Sequence, residues 1–356
     1  MRRKNIATAM TAATAMFCLT ASMALPAAAQ TVSDPIVGGM AGPLSLAVGS
    51  DGTVYVAQSF AGTLTAIDKK GGATDLASVP GASLSGVEAL GRGTVTYTTR
   101  VPGGPAPVTS AGLWRVQPNG KVRLVADLLA FEEENNPDQV NSYGFQDLTP
   151  ECAAQVPEEI GGEPYTGIVD SHPYSVLLSD GSWIVADAGG NDILRVQANG
   201  EISVVAVLSP QPFVVMAEVA EAQGLPECTI GSTYNFEPVP TDVELGPDGL
   251  LYVTLLPGGP EDPSLGARGS VYSIDPDTGE VALVASGFLG ATGLAVAPDG
   301  TIYVAELFGN RISTVSGAGA EPFVEVPSPA AVEWANGVLY ATIDVFGNGS
   351  VVTITP

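Results

Sequence analysis

Residues 292–306 read TGLAVAPDGTIYVAE. Thr292 to Val296 is a short apolar strand, Asp299-Gly300 is a dipeptide suited to the positive φ of a hairpin turn, and Thr301 to Glu306 is rich in β-branched and aromatic residues. The stretch therefore encodes a β-hairpin, and the same hairpin recurs along the chain. Its first strand aligns as Leu44-Ser45-Leu46-Ala47-Val48, Ser85-Gly86-Val87-Glu88-Ala89, Tyr174-Ser175-Val176-Leu177-Leu178, Thr241-Asp242-Val243-Glu244-Leu245 and Ala330-Ala331-Val332-Glu333-Trp334. Proline precedes four of the six copies, as Pro43, Pro173, Pro240 and Pro329. The second position is always small or Asp, as crowding around a central channel requires. The turns contain Asp51-Gly52, Gly91-Arg92-Gly93, Asp180-Gly181, Asp248-Gly249 and Asn336-Gly337, and the second strands read TVYVAQ, TVTYTT, SWIVAD, LLYVTL and GVLYAT.

A second hairpin follows each first one, giving four strands per unit of roughly forty residues, the period of a propeller blade. The expected fold is all-β: a six-bladed β-propeller with four-stranded blades, spanning residues 30–356 as one domain. The last unit supplies three strands, and Val32 to Val37 stand before the first inner strand as Pro322 to Val326 stand before the sixth. The amino-terminal strand is thus expected to complete the last blade and remove an open sheet edge. One helix is expected, Phe213 to Ala222, after Pro212 and before Gly224.

Long insertions fall where a propeller places the links of one face. Val101 to Ala111 and Leu256 to Gly269 lie between second and third strands, while residues 131–171 and 209–239 link consecutive units. The opposite face carries short turns such as Pro118-Asn119-Gly120, so the loop-bearing face is the expected binding face.

Residues 1–29 read as an export signal: Arg2, Arg3 and Lys4, then an apolar stretch, then Ala27-Ala28-Ala29 before Gln30. Removing it takes away three of the 13 basic residues and none of the 38 acidic ones, so the net charge falls from −25 to −28. Such a field repels nucleic acid and anionic membranes. The expectation is a monomer, secreted or periplasmic, with no membrane insertion after cleavage and with a small molecule or a cell-envelope component as its partner. Cys18 leaves with the signal, and Cys152 and Cys228 are then an even pair in an oxidising compartment, which reads as a disulfide between the two long insertions. That bond is either a structural staple with no role in binding or a functional lid.

The chain has one histidine, His172, which excludes H-E-x-x-H zinc proteases; no G-x-S-x-G elbow and no Gly-rich phosphate loop occurs. Residues 131–170 hold ten acidic residues and no Lys or Arg, among them Glu132, Glu133 and Glu134, but no EF-hand pattern. No cofactor is expected, with a divalent cation such as Ca²⁺ the one the acidity leaves open.

The runs VDSHPYSVLLSDGSWIVADAGGNDILRVQANG (169–200) and VPTDVELGPDGLLYV (239–253) resemble the ScyD/ScyE family of exported β-propellers, more distantly NHL-repeat and SMP-30/gluconolactonase propellers. The resemblance implies an exported propeller with no settled activity. In the SMP-30 type a central metal is held by Glu, Asn and Asp; the corresponding positions here are Leu44, Ser85, Tyr174, Thr241, Thr292 and Ala330, so that metal site is not reproduced. Polar groups that could converge near the channel are Asp242, Glu306, Asp187, His172, Tyr174, Thr241, Thr292 and Gln58; a metal, if one binds, would use Asp242, Glu306 and Asp187. The leading functional expectation is a non-catalytic ligand- or partner-binding propeller acting across the loop-bearing face. The alternative is a metal-dependent lactonase or esterase related to SMP-30/gluconolactonase.

Overall fold

The computed structural model describes residues 30–103 and 108–355. The export-signal reading of residues 1–29 lies outside the described residues. Strands dominate, and they form antiparallel meanders in sequence order. Residues 43–78, 83–127 and 173–207 each fold into a four-stranded meander. Residues 240–325 form an eight-stranded sheet in which two meanders are joined by a single parallel bridge, Ser286 to Gly319. The last sheet combines Val332–Ala335, Val338–Ile343 and Gly349–Thr355 with the amino-terminal strands Thr31–Val32 and Val37–Met40, so the expected closure by the amino terminus is present.

The core lies between neighbouring meanders. Tyr55 and Leu64 pack with Leu84 and Tyr97, Leu113 packs with Val185 and Leu194, and Ile184 packs with Val243 and Val253. Val271 then meets Leu294, Ala305 meets Leu339, and Met40 and Val351 meet Val56 of the first meander. Sheets therefore stack face to face around a ring, the architecture of a β-propeller. The small second positions follow from this crowding. A Cβ on Gly86 would sit 2.8 Å from the backbone carbon of Ser175, and one on Gly293 would sit 2.5 Å from the Ala330 carbonyl oxygen.

The turns divide into two kinds. Asp180-Gly181 and Asn336-Gly337 both take positive φ, as a two-residue hairpin turn demands. Asp51, Asp248 and Asp299 do not; there only the glycine takes positive φ, and the aspartate carboxylate accepts the N–H two residues on, from Thr53, Leu250 and Thr301. Local side-chain acceptance replaces the second left-handed residue.

The insertions differ from expectation. Strands Thr94–Pro102 and Val108–Val116 run into the insertion at 101–111 from both sides. The helix expected from Phe213 is shorter: Gln211–Val214 is a strand, and the helix starts at Ala217. Its β-branched and aromatic start finds a partner strand, which overrides helix propensity. In chain order the α-helices are α1 (Leu128–Asn135), α2 (Pro150–Ala153) and α3 (Ala217–Ala222). α1 was not expected; Asp127 caps it by accepting the Ala130 N–H at 3.0 Å, and its Leu128 and Leu129 pack into the core. The two long insertions pair with each other. Tyr165–Thr166, Ser142–Phe145, Thr233–Phe236 and Gln211–Val214 make a separate four-stranded antiparallel sheet, here called the cap. The Cys152–Cys228 disulfide joins the same two insertions, with 5.9 Å between the Cα atoms.

Candidate functional site

Tyr174, Thr241, Asp242 and Thr292 come together at the central channel, around a cavity of about 20 Å³ that their inner strands line. Thr241 and Thr292 donate their hydroxyls to the Ala291 and Ala330 carbonyls, at 3.1 and 2.9 Å, and so tie each inner strand to the next. Asp242 does the same with charge. Its Oδ1 accepts Ser175 Oγ at 2.6 Å and the Val243 N–H at 2.9 Å, while Oδ2 accepts the Leu294 N–H at 2.8 Å. Burial raises its carboxyl to about 6, against the pull of those donors.

Three further carboxylates share the channel: Glu88, Glu244 and Glu333. They occupy the fourth position of three alternate inner strands, so the sequence signal for them is an acidic residue recurring in every second repeat. Burial lifts Glu88 to about 7, and burial plus the charge of its neighbours pushes Glu244 and Glu333 well above the usual carboxylate range. Among the described residues the ion pairs are Arg100–Asp170 and Arg311–Glu306, so no cation offsets the channel acids. The cavity has room for about one water molecule.

Of the other expected residues, Glu306, Asp187 and Gln58 lie outside this cluster, while His172 packs against one of its members. Glu306 is fully buried; Arg311 grips it at 2.7 and 3.0 Å, Ser313 Oγ donates to Oε1, and the Leu289 N–H donates to Oε2 at 2.6 Å. Asp187 accepts Ser171 Oγ at 2.5 Å and the N–H groups of His172, Gly189 and Gly190, so it caps the loops beside it. His172 meets Tyr174 edge-on, at 5.4 Å between ring centroids, and burial lowers its imidazole to about 4, leaving it neutral at pH 7. Gln58 accepts the Ala41 N–H and donates to Thr65, at 2.8 and 2.7 Å. No group of three or more His, Cys, Asp or Glu is arranged to hold a metal among the described residues.

A larger cavity, about 220 Å³, lies in the cap. Phe145, Phe213, Tyr234 and Phe236 come from the cap sheet, Val219 from α3, and Leu265 from the loop that follows Leu251–Leu255. Phe145 and Tyr234 meet edge-on at 5.0 Å, and Tyr234 and Phe236 lie 4.6 Å apart, which fixes an aromatic wall. Arg268 stands over Phe236, 4.3 Å from the ring centroid, and donates to the Pro257 and Gly258 carbonyls, holding that third loop against the sheet. The long insertions were legible in the sequence, but the pairing between them that shapes this cavity was not.

No protein-family model matches the sequence, and no curated protein matches it. Solved structures do. A gluconolactonase from Xanthomonas campestris superposes with a TM-score of 0.54 at 11% identity, covering 90% of this chain and 88% of its own. The PQQ-bound aldose sugar dehydrogenase from Streptomyces coelicolor gives 0.53 at 15% identity, over 92% and 98%. A catalytically inactive virginiamycin B lyase from Staphylococcus aureus, with quinupristin, gives 0.52 at 14%, over 92% and 99%. This chain shares their β-propeller fold. Among the described residues no helix is long and apolar enough to cross a membrane.

Proposed function

We propose that this chain is an exported, monomeric ScyD/ScyE-like propeller, one domain of six blades, whose capped face binds a small molecule with an apolar or aromatic body. Six is the count obtained when the eight-stranded sheet is taken as two blades joined by its one parallel bridge. The observation that carries the binding reading is the aromatic-walled cavity of about 220 Å³ built from both insertions. The disulfide suits an oxidising compartment, in line with export. The test is fluorescence titration with 1-anilinonaphthalene-8-sulfonate as probe. Saturable one-to-one binding is expected, and Val219→Trp, which fills the cavity from α3, should weaken it at least tenfold. Non-saturable or unchanged binding counts against the cavity.

A second reading is a metal-dependent lactonase or esterase related to SMP-30/gluconolactonase. The structural relatives favour it over a pure binding module, because the three described above carry the names of enzymes. The Glu88 carboxyl near 7 is also suited to proton transfer at neutral pH. Against it stand the small channel cavity and the scaffold roles of Asp242, Glu306 and Asp187. A panel of lactones and esters with Ca²⁺, Mn²⁺ and Zn²⁺ separates the two. Turnover that Glu244→Gln abolishes would defeat the binding reading.

A further inference from the structure

A second group of buried acids lies where the first insertion meets the propeller, away from the channel. Glu132 projects from α1, Asp138 from the short 3₁₀ turn Pro137–Val140, and Asp192 from the strand Asp192–Val196; they are 3%, 1% and 0% exposed. Asp187 adds a fourth charge but is compensated by its four donors. Asp138 is half compensated: Oδ2 accepts Tyr143 Oη at 3.1 Å and Asn191 Nδ2 at 2.9 Å, while Oδ1 has no partner. Neither oxygen of Asp192 has a partner, nor does Glu132 Oε1 or the neighbouring Asn136 Oδ1. The two least compensated carboxylates flank the same point: a Cβ placed on Gly190 would lie 3.4 Å from Glu132 Oε2 and 3.5 Å from Asp192 Oδ1. Glu237 and Asp170 add further negative charge nearby, and Arg100 is spent on Asp170 at 3.1 Å.

An ionised carboxylate cannot stay buried without a donor, a cation or a proton. Here no donor reaches either oxygen of Asp192 or Oε1 of Glu132, and the two side chains come from different parts of the fold.

We propose that Glu132 and Asp192 hold one divalent cation, calcium by the all-oxygen donor set, which fastens the first insertion to the propeller. Two carboxylates are the anchor. A complete ligand set of three acidic, histidine or cysteine side chains is not assembled there, so amide, backbone or water oxygens supply the rest, as calcium's flexible coordination allows. The site is separate from the channel acids and from the cap cavity, and it does not rest on the binding reading.

The test uses the full chain stripped with EDTA and titrated with CaCl₂ at pH 7.5, by calorimetry and thermal melting. One calcium per chain is expected, with Tm rising by roughly 5 °C at about 100 times Kd. Glu132→Gln and Asp192→Asn should each weaken calcium binding by at least tenfold and remove that rise, while leaving the ion-free Tm unchanged or higher, because each removes an uncompensated charge. Glu88→Gln in the channel should keep the response. The proposal is overturned if stripped wild-type protein shows no calcium-dependent shift. It is equally overturned if the shift survives in the Glu132→Gln/Asp192→Asn double variant, or if Mg²⁺ produces the same rise.

Discussion

Replacing both Cys152 and Cys228 with serine should release the cap while leaving the propeller folded. The bond spans a sequence separation of 76, but that is not the loop it closes once the propeller is formed. The meander at residues 173–207 holds its own ends, so an opened cap consists of two tethered arms, residues 152–171 and 209–228. Cross-linking a loop of roughly 40 residues is worth about 4 kcal/mol in the chain-entropy model. The cap strands keep their ladder and the aromatic packing of Phe145 with Tyr234, so the arms stay closed on average but open more often. Amide exchange followed by mass spectrometry reads this directly. Amides of residues 142–145, 211–214 and 233–236 should exchange on the order of 10³-fold faster in the double variant, and those of residues 302–306 at the wild-type rate. Equal loss of protection in cap and blade would refute the separation of the two. Unchanged protection in the cap would refute the stabilising role of the bond.

The channel acids set a pH dependence. A carboxyl whose pKa is raised on folding binds more protons in the native state, so stability falls as pH rises from the unfolded value toward the folded one. For Glu88 that window runs from the ordinary 4.5 to about 7, and the loss is at most about 3 kcal/mol. Tm should therefore be higher at pH 5 than at pH 7.5, and Glu88→Gln should shrink the difference; a Tm that climbs between those pH values would contradict the burial of these acids. Arg311→Ala should cost about 3–5 kcal/mol, since it leaves Glu306 fully buried without its cation; denaturant titration measures it, and a loss under 1 kcal/mol would show that Ser313 and the Leu289 N–H suffice.

The hairpin repeat was legible because it is local. Strand alternation, Asp-Gly turns and small inner positions all follow from neighbours in sequence, and closure by the amino-terminal strand follows from counting strands. Less legible was what distant segments do to one another. Gln211–Val214 becomes a strand because Thr233–Phe236 offers it a ladder, and nothing within Phe213 to Ala222 announces that. The site residues divide along the same line. Ending a strand does not aim a side chain at the channel: Asp187, Glu306 and Gln58 are consumed by nearby donors and acceptors, as polar groups at buried strand ends must be. Glu88, Glu244 and Glu333 stood in plain sight at one alignment column, and reading that column by unit, rather than position by position, would have found them.

Because Thr31 and Val32 pair with Thr355 and Ile354, the earliest and latest described strands are partners. A chain that emerges from its amino terminus must keep that strand unsatisfied until Gly349–Thr355 has arrived. Its contacts of greatest sequence separation are thus also its final ones, a topology that folds slowly and leaves adhesive surface uncovered in the interim. The heavy negative charge of the chain acts during that wait, keeping unfinished copies apart.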